Sequence, residues 1–175
     1  LMPLLARVIV TSPSTGERLV ADFGVASDRI HVVVPGTEDA PRCPGSTDGV
    51  CRIVSIGTVV PRKGHDVLLR SLQRLGDLNW ELTIVGSEER DPVHAHGLRA
   101  LAEELGIASR VRFAGELVDG ALEAEWRRAD LFALATHWEG YGMAIAEALK
   151  RGLPVAVCKG GAAGDLVPAE AGVVC

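Results

Sequence analysis

Two carboxylates that flank a short glycine-rich segment have the clearest potential for chemistry in this sequence. Glu139 and Glu147 lie eight positions apart. The residues that follow the first carboxylate are Gly140, Tyr141, Gly142 and Met143. We expect a helix to open near Tyr141, where free backbone N–H groups and the helix dipole favour an anion. A phosphate on these amides, with a carboxylate further along to accept sugar hydroxyls, is an arrangement suited to a nucleotide sugar.

A second group of candidates lies in the sequence GTVVPRKG, which covers residues 57–64. Two glycines and Pro61 shape this loop, and Arg62 and Lys63 place two positive charges in it. A diphosphate leaving group needs positive charge as its oxygen is released, and Arg or Lys supplies it. Viewed alone, the loop also fits a solvated basic pair before a helix.

The elements that must position these residues follow a regular rhythm. Five apolar strand patterns end, in order, at Gly57, Gly86, Gly115, Thr136 and Gly160. Helical patterns separate them, as at residues 98–105, where apolar residues recur at helical spacing. This alternation predicts an α/β fold, a Rossmann-like parallel sheet with helices on both faces. Ligands of such sheets bind along the carboxyl edge, where the loops after the strands gather.

The N-terminal part of the chain has the pattern of a small βαβ unit. Residues 7–10 form a predicted strand, and we interpret the apolar start of the chain as a core strand and not as a signal peptide. Ser14 and Glu17 match a capping box at the start of a helix that ends near Phe23. Residues 30–34 form the next predicted strand.

A segment without periodicity separates this unit from the remainder. Residues 35–49 hold three prolines and three glycines, which is typical of a linker or a domain boundary. We therefore predict three parts: the end of one domain at 1–34, a linker at 35–49, and a second domain at 50–175.

Composition narrows the class of protein. Of the 175 residues, 47% are hydrophobic and 23% are charged, which is ordinary for a folded soluble protein. The net charge of −5 and the lack of a basic stripe argue against nucleic acid as a partner. No apolar run approaches the roughly 20 residues of a membrane-spanning helix.

Neither a metal nor a cofactor is expected. The four cysteines show no CxxC spacing, and Cys51 and Cys158 fall in strand patterns, where we expect small buried thiols. A reducing cytoplasm fits this usage. No DxD pair is present to hold a divalent cation for a diphosphate. A metal-independent mechanism follows, in which the protein's cations take the role of the metal.

Each acidic candidate also has a structural interpretation. Glu147 lies four positions before Arg151 and could form an exposed helix pair, as we expect for Glu123 with Arg127. Glu139 could be a helix-start anion that interacts only with the dipole. His137 follows a strand directly, and we do not expect it to be a catalytic base.

Taken together, these segments resemble the C-terminal, nucleotide-sugar-binding half of a GT-B glycosyltransferase of the retaining family 4, also called glycosyl transferases group 1. The resemblance rests on EGYGMAIAE, an E-x7-E signature, followed by GLPVAV. GTVVPRKGHDVLL, LTIVGS and RVRFAGEL precede it in the expected order. It covers about residues 30–175.

The resemblance implies a role for each candidate residue. Lys63 and Arg62 would contact the diphosphate, helped by the backbone of residues 140–143, and Glu147 would hold the ribose. Glu139 would lie near the donor sugar and its anomeric carbon, and would form the catalytic set with the two cations. The remaining donor-binding positions would be Gly57, Thr58, Gly86 and His137. The loops after residue 86 and around 113–117 would flank the base.

The sequence departs from the family pattern in two ways. Many members carry Arg five positions before the lysine, where Thr58 stands here, so Arg62 would have to take its place. The chain also stops at Cys175, before the family's closing helices. We therefore expect a fragment that binds donor weakly and transfers sugar poorly on its own.

The expected partners are a nucleotide-sugar donor and an acceptor glycan, lipid or small molecule. By the resemblance the protein would be cytoplasmic, and the full-length protein could associate peripherally with the inner face of the membrane. Two rival functions stay open. A dinucleotide oxidoreductase requires a G-x-G-x-x-G turn that the loop at 57–64 lacks. A nucleotide-sugar-binding module without turnover is the second.

Overall fold

The computed structural model describes residues 4–175, which form two parallel β-sheets and their flanking helices. The strands are β1 (Val8–Val10), β2 (Ile30–Val32), β3 (Cys51–Ile56), β4 (Trp80–Val85), β5 (Val111–Gly115), β6 (Leu131–Leu134), β7 (Val155–Val157) and β8 (Gly172–Val174). The helices are α1 (Pro13–Phe23), α2 (His65–Gln73), α3 (Pro92–Glu104), α4 (Asp119–Arg128) and α5 (Met143–Lys150).

The main sheet has six parallel strands in the order β5-β4-β3-β6-β7-β8. From β3 the chain adds strands β4 and β5 on one side, and from β6 it adds β7 and β8 on the other. The topological switch point of the sheet therefore lies between β3 and β6. The predicted α/β fold with a Rossmann-like parallel sheet is confirmed. β8 is a strand that the sequence analysis did not predict, since three residues carry too short a pattern.

Apolar side chains cover both faces of this sheet. Leu69 of α2 belongs to one cluster with Leu82 of β4. Trp126 of α4 and Ile145 of α5 belong to the other with Phe132 of β6, and the rings of Trp126 and Phe132 stack with centroids 5.8 Å apart. Helices therefore flank the sheet on both sides, as the strand–helix alternation predicts.

The N-terminal βαβ unit differs from its prediction at the helix cap. Ser12, and not Ser14, caps α1, because its side chain accepts from the Thr15 N–H while Pro13 takes the first helical position. The predicted capping box of Ser14 and Glu17 is therefore wrong.

β1 and β2 are shorter than predicted, at three residues each. Of the apolar start that we interpret as a core strand, residues 1–3 lie outside the described residues. Leu4 and Leu5 are exposed and lie outside any strand, so that interpretation is wrong for them. Residues 33–50 hold no helix or strand. The division into domains stays a prediction.

Two further expectations about side chains are wrong. Cys51 is exposed and not buried, while Cys158 is half-buried. Glu123 pairs with Arg151 at 2.7 Å and not with Arg127, because its carboxylate reaches from α4 across to the end of α5. None of the helices within residues 4–175 combines the length and the apolar character needed to cross a membrane.

Candidate functional site

Two loops meet at the switch point of the sheet: the cationic loop, residues 57–64, and the acidic loop, residues 135–142. Lys63 lies after β3 and Glu139 after β6, and the two strands are direct neighbours. Lys63 Nζ donates to Glu139 Oε1 at 2.7 Å, and the Arg62 guanidinium lies 3.6 Å from the same oxygen. The structure therefore brings together all three residues of the predicted catalytic set.

A glycine with a left-handed backbone positions Lys63. Pro61–Lys63 form one 3₁₀ turn, and Gly64 ends it with φ of 64°. A Cβ added at Gly64 would lie 1.9 Å from the carbonyl oxygen of Ala135, so the loop can approach the end of β6 only without a side chain. The lysine stem lies over Gly57, where an added Cβ would meet Lys63 Cε at 3.1 Å.

Glu139 is held by its neighbours on every side. Its N–H donates to Gly160 O at 3.0 Å, and its own carbonyl accepts from Ala162 N at 2.9 Å. The Thr136 hydroxyl donates to Glu139 Oε1 at 2.8 Å. The side chain is only 8% exposed. The helix-start interpretation of Glu139 as a simple dipole partner does not describe this buried, ion-paired carboxylate.

Arg62 takes a more open position than Lys63. Its guanidinium donates to the carbonyl of Trp138, and its backbone carbonyl accepts from His137 N at 2.9 Å. The Arg62 side chain is 49% exposed, whereas that of Lys63 is 13% exposed. Lys63 is therefore a fixed charge, and Arg62 can turn toward a ligand.

The start of α5 lies two residues later than predicted. The helix begins at Met143 and not near Tyr141, because Gly142 precedes it with a left-handed φ of 105°. Four successive N–H groups donate to no acceptor within residues 4–175; they belong to Tyr141, Gly142, Met143 and Ala144. The expected cluster of free amides is therefore present at a helix N-terminus.

Glu147 lies on α5 beside a separate cavity of about 540 Å³. Glu38, Asp119, Met143 and Arg151 also line this cavity. The Arg151 guanidinium binds the Glu123 carboxylate and the backbone carbonyl of Glu147. Within the described residues it forms no ion pair with the Glu147 carboxylate, so the alternative of an exposed helix pair is not observed. Burial raises the pKa of Glu147, and Glu38 adds to the shift while Arg151 opposes it. Glu147 therefore lines open space that a ligand with hydroxyl groups could fill.

The remaining predicted positions lie along the same edge of the sheet. A Cβ added at Gly86 would lie 2.0 Å from Gly57 O and 3.1 Å from Thr58 N, which places these three residues in contact after β3 and β4. His137 is exposed beside Arg62. No group of three or more His, Cys, Asp or Glu side chains in residues 4–175 is placed to hold a metal ion.

A buried histidine directly follows the cationic loop. His65 is fully buried, and both of its ring nitrogens lack a hydrogen-bond partner within the described chain. Burial, with smaller contributions from His94 and Lys63, lowers the pKa of His65 to about 4. The ring is therefore neutral at physiological pH.

The comparison with known families agrees with this geometry. The sequence profile of the family described as Glycosyl transferases group 1 matches residues 40–175. The chain belongs to this family. The resemblance drawn from the E-x7-E segment and the loops before it is thus confirmed at the level of the family.

Curated relatives of this group 1 chain are longer proteins. Mannosylfructose-phosphate synthase of Agrobacterium fabrum is 30% identical over 167 residues, which cover 86% of this chain and 37% of that protein. D-inositol 3-phosphate glycosyltransferase of Mycolicibacterium gilvum is 34% identical over 160 residues, or 85% of this chain and 36% of that protein. The chain therefore spans less than half the length of these relatives.

Solved structures show the same fold. Anabaena HepE in complex with UDP-glucose superimposes with a TM-score of 0.84 at 20% identity, over 97% of this chain and 50% of that one. A glycosyltransferase from Rickettsia africae gives a TM-score of 0.81 at 19% identity, over 96% of this chain and 48% of that one. The predicted fold, one half of a GT-B architecture, is confirmed.

Several residues of the site were not predicted from the sequence. Thr136 was recognised only as a strand end, although its hydroxyl binds the carboxylate of Glu139. Thr11 and Thr15 contact the carbonyl of Gly140 from the N-terminal unit, more than 120 positions away in the chain. The position of Thr136 directly after a buried strand could have indicated its role. No local sequence pattern predicts the contact between the N-terminal unit and the loop.

Proposed function

We propose that this chain forms the donor-binding half of a retaining glycosyltransferase of family 4, which moves a sugar from a nucleoside diphosphate to an acceptor hydroxyl without a metal ion. One observation carries the proposal. Lys63 contacts Glu139, and Glu139 lies on the loop that leads directly to the free amides at the start of α5. Positive charge and unpaired N–H donors at one switch point are what a diphosphate requires.

Lys63 is suited to stabilise the departing diphosphate. An ammonium group has three N–H donors, and one of them is directed to Glu139. Two donors are left for phosphate oxygens, and the ion pair holds the ammonium in place before the substrate arrives. Charge that is positioned in advance stabilises a developing anion more than charge that must reorganise.

Arg62 would supplement this charge from the open side of the site. Its guanidinium lies 3.6 Å from Glu139 and is half exposed, so it can move toward an incoming phosphate. Arg presents several donors in a planar fork that matches phosphate geometry. In this role it would replace the arginine that many family members carry where Thr58 stands.

The two carboxylate oxygens of Glu139 would have different roles. Oε1 is occupied by Lys63 and Thr136, while Oε2 has no hydrogen-bond partner within residues 4–175. Oε1 therefore orients the lysine, and Oε2 is available to accept a hydroxyl of the donor sugar. Glu147, which faces the cavity beside α5, would accept the ribose hydroxyls.

A donor-binding module without turnover is the second candidate. The chain covers 36–37% of two of its curated relatives, and acceptor contacts in a two-domain enzyme come from both sides of the cleft. The acceptor, the cytoplasmic location and a peripheral association with the membrane are carried by the family resemblance and belong to the proposal for the full-length protein.

A thermal-shift panel tests the proposal. UDP, GDP and ADP, the glucose and mannose derivatives of each, and NAD are added to the chain without and with EDTA. A ligand that binds only the folded state raises the melting temperature, and the rise grows with the logarithm of its concentration over its Kd. We expect at least one nucleoside diphosphate or its sugar to raise it equally with EDTA present, and NAD to leave it unchanged. A shift with NAD alone, or with none of the ligands, would refute donor binding.

Turnover is measured on the same protein with the sugar nucleotide that binds best. Release of nucleoside diphosphate in the presence of sugar acceptors separates the two candidates. Binding without release supports the module, and binding with transfer supports the enzyme.

A further inference from the structure

The start of α1 contacts the loop that carries the free amides. The hydroxyls of Thr11 and Thr15 both donate to the carbonyl oxygen of Gly140, at 3.2 Å and 3.1 Å. A carbonyl oxygen has two lone pairs, and both are used here. The N-terminal βαβ unit thus contacts the predicted diphosphate loop directly, although neither threonine belongs to the residues that the family signature contains.

The hydroxyl of Thr15 is itself fixed by a second hydroxyl. Ser12 Oγ donates to Thr15 Oγ1 at 2.9 Å, and Ser12 is only 3% exposed. Thr15 has a single hydroxyl proton, and it donates that proton to the carbonyl oxygen of Gly140. The chain of donors therefore runs from Ser12 to Thr15 to Gly140. Hydrogen bonds in such a chain polarise and strengthen one another.

This contact determines where the next N–H group points. The Gly140–Tyr141 peptide bond is trans, as are all peptide bonds of the described chain. In a planar trans peptide the C=O and N–H bonds point in opposite directions. Since the carbonyl of Gly140 is held toward α1, the N–H of Tyr141 is turned away from α1. That N–H is the first of the four free donors before and within the first turn of α5.

A further contact keeps α1 against the same loop. The guanidinium of Arg18, one turn after Thr15, lies 4.5 Å from the centroid of the Trp138 ring. Trp138 directly precedes Glu139, so α1 contacts the loop on both sides of that carboxylate. A cation over an aromatic face is attracted by the negative charge of that face. The threonines therefore act on a segment that is already docked.

We propose that Thr15, assisted by Thr11, is a positioning residue for the donor: it holds the Gly140–Tyr141 peptide so that the Tyr141 N–H faces the diphosphate. The proposal rests on the proposed function, because it concerns the same amides. Through this backbone carbonyl the N-terminal unit would become part of the donor site.

Three variants test the proposal. Thr15→Val keeps the shape of the side chain and removes the hydroxyl, and Thr15→Ser restores the hydroxyl. Thr83→Val is the matched control, because it removes a threonine hydroxyl whose partner is Arg112 on the edge strand β5. Each is titrated with whichever of UDP, GDP and ADP binds the wild-type chain best, and with the corresponding nucleoside.

We expect Thr15→Val to weaken binding of the diphosphate about 2- to 10-fold, the range for one lost hydrogen bond. Binding of the nucleoside should be unchanged, because it has no phosphate to meet the Tyr141 N–H. Thr15→Ser and Thr83→Val should bind like the wild type. Full diphosphate affinity in Thr15→Val, or an equal loss for the nucleoside, overturns the positioning role.

Amide NMR of the ligand-free protein separates this result from a failure of the proposed function. Loss of the Thr15 hydroxyl should allow the Gly140–Tyr141 peptide to exchange between orientations, so the Tyr141 and Gly142 amide resonances should broaden in Thr15→Val only. Sharp resonances in that variant overturn the contact. A wild-type chain that binds none of the three diphosphates overturns the proposed function and the positioning role together, whereas binding that is insensitive to Thr15→Val overturns the positioning role alone.

Discussion

Lys63 Nζ and Glu139 Oε1 lie 2.7 Å apart, and both side chains are largely buried, at 13% and 8% exposure. The two residues are 76 positions apart in the sequence and meet because β3 and β6 are adjacent at the switch point of the sheet. A charge that is withdrawn from water is costly unless it is paired. Each of the two side chains therefore depends on the other for its place in the site.

Removal of one partner should expose this dependence. We expect Glu139→Gln, which keeps the shape of the side chain, to lower the free energy of unfolding by about 3 kcal/mol, because Lys63 is left as an unpaired buried charge. The double variant Lys63→Met with Glu139→Gln should recover most of that loss. Urea denaturation of the wild type, Lys63→Met, Glu139→Gln and the double variant measures the coupling. Losses that simply add in the double variant would show that the pair has no structural role.

Gly64 should tolerate no side chain. An added Cβ would lie 1.9 Å from the Ala135 carbonyl, and the backbone φ of 64° is strained for any L-residue. We expect Gly64→Ala to lower the free energy of unfolding by at least about 2 kcal/mol.

Gly97→Ala is the matched control for Gly64→Ala. Gly97 lies inside α3 with no atom near an added Cβ, so this change should stabilise the chain by about 0.5–1 kcal/mol. Thermal unfolding of both variants gives the comparison. Similar behaviour of the two glycines would contradict the close approach of the cationic loop to β6.

His65 should make the protein sensitive to acid. Its folded pKa is lowered from 6.5 to about 4, so the unfolded chain binds the proton more tightly than the native one. The stability that this residue contributes is present above pH 6.5 and is lost as the pH falls toward 4. The shift corresponds to about 3 kcal/mol as an order of magnitude.

The pH dependence of unfolding between pH 7 and 4 measures this effect. His94 and Lys63 oppose protonation of His65 and Asp66 favours it, so all three contribute to the observed slope. His65→Asn should flatten the slope, while His96→Asn, at an exposed position of α3, should leave it unchanged. An unchanged slope in His65→Asn would assign the acid sensitivity to other groups.

Glu147 should show opposite effects on stability and on binding. Burial raises its pKa, so the ionised carboxylate costs the native state stability at neutral pH. That cost shrinks as the pH falls through the folded pKa and is gone below the unfolded value of 4.5. Glu147→Gln removes the charge, and we expect the melting temperature at pH 7 to stay equal or rise. Affinity for a ribonucleoside diphosphate should fall, because an amide oxygen accepts ribose hydroxyls less strongly than a carboxylate.

The 2′,3′-dideoxy nucleotide provides the control for Glu147. It lacks the hydroxyls that the carboxylate would accept, so wild type and Glu147→Gln should bind it equally. A loss of affinity that is the same for the ribo and dideoxy nucleotides would place Glu147 away from the ribose.

Much of the fold was predictable because it is carried by repeated local patterns. Each predicted strand of the main domain ends within three residues of its observed end, and the parallel topology brings Lys63 and Glu139 to one edge without further information. The family followed from spacing within one segment. These features depend on short-range sequence and on general rules of strand connection.

The features that were not predicted depend on contacts between distant segments or on single backbone angles. The start of α5 at Met143 follows from the left-handed Gly142. The pairing of Glu123 with Arg151 requires α4 and α5 to be adjacent, and an equally good local partner was present at Arg127. The contact of Thr15 with Gly140 joins two units whose arrangement no local pattern encodes.

Calorimetric titration with a matched pair of variants measures whether Lys63 binds the diphosphate of a nucleotide. Lys63→Met is compared with Lys150→Met, which removes a charge of the same type from an exposed pair with Asp39. With the best of UDP, GDP and ADP, we expect Lys63→Met to weaken binding at least about tenfold, as for a lost charged hydrogen bond, and Lys150→Met to change it less than about twofold. Equal affinities in the two variants, or a wild-type chain that binds no nucleoside diphosphate, would show that Lys63 does not bind a diphosphate.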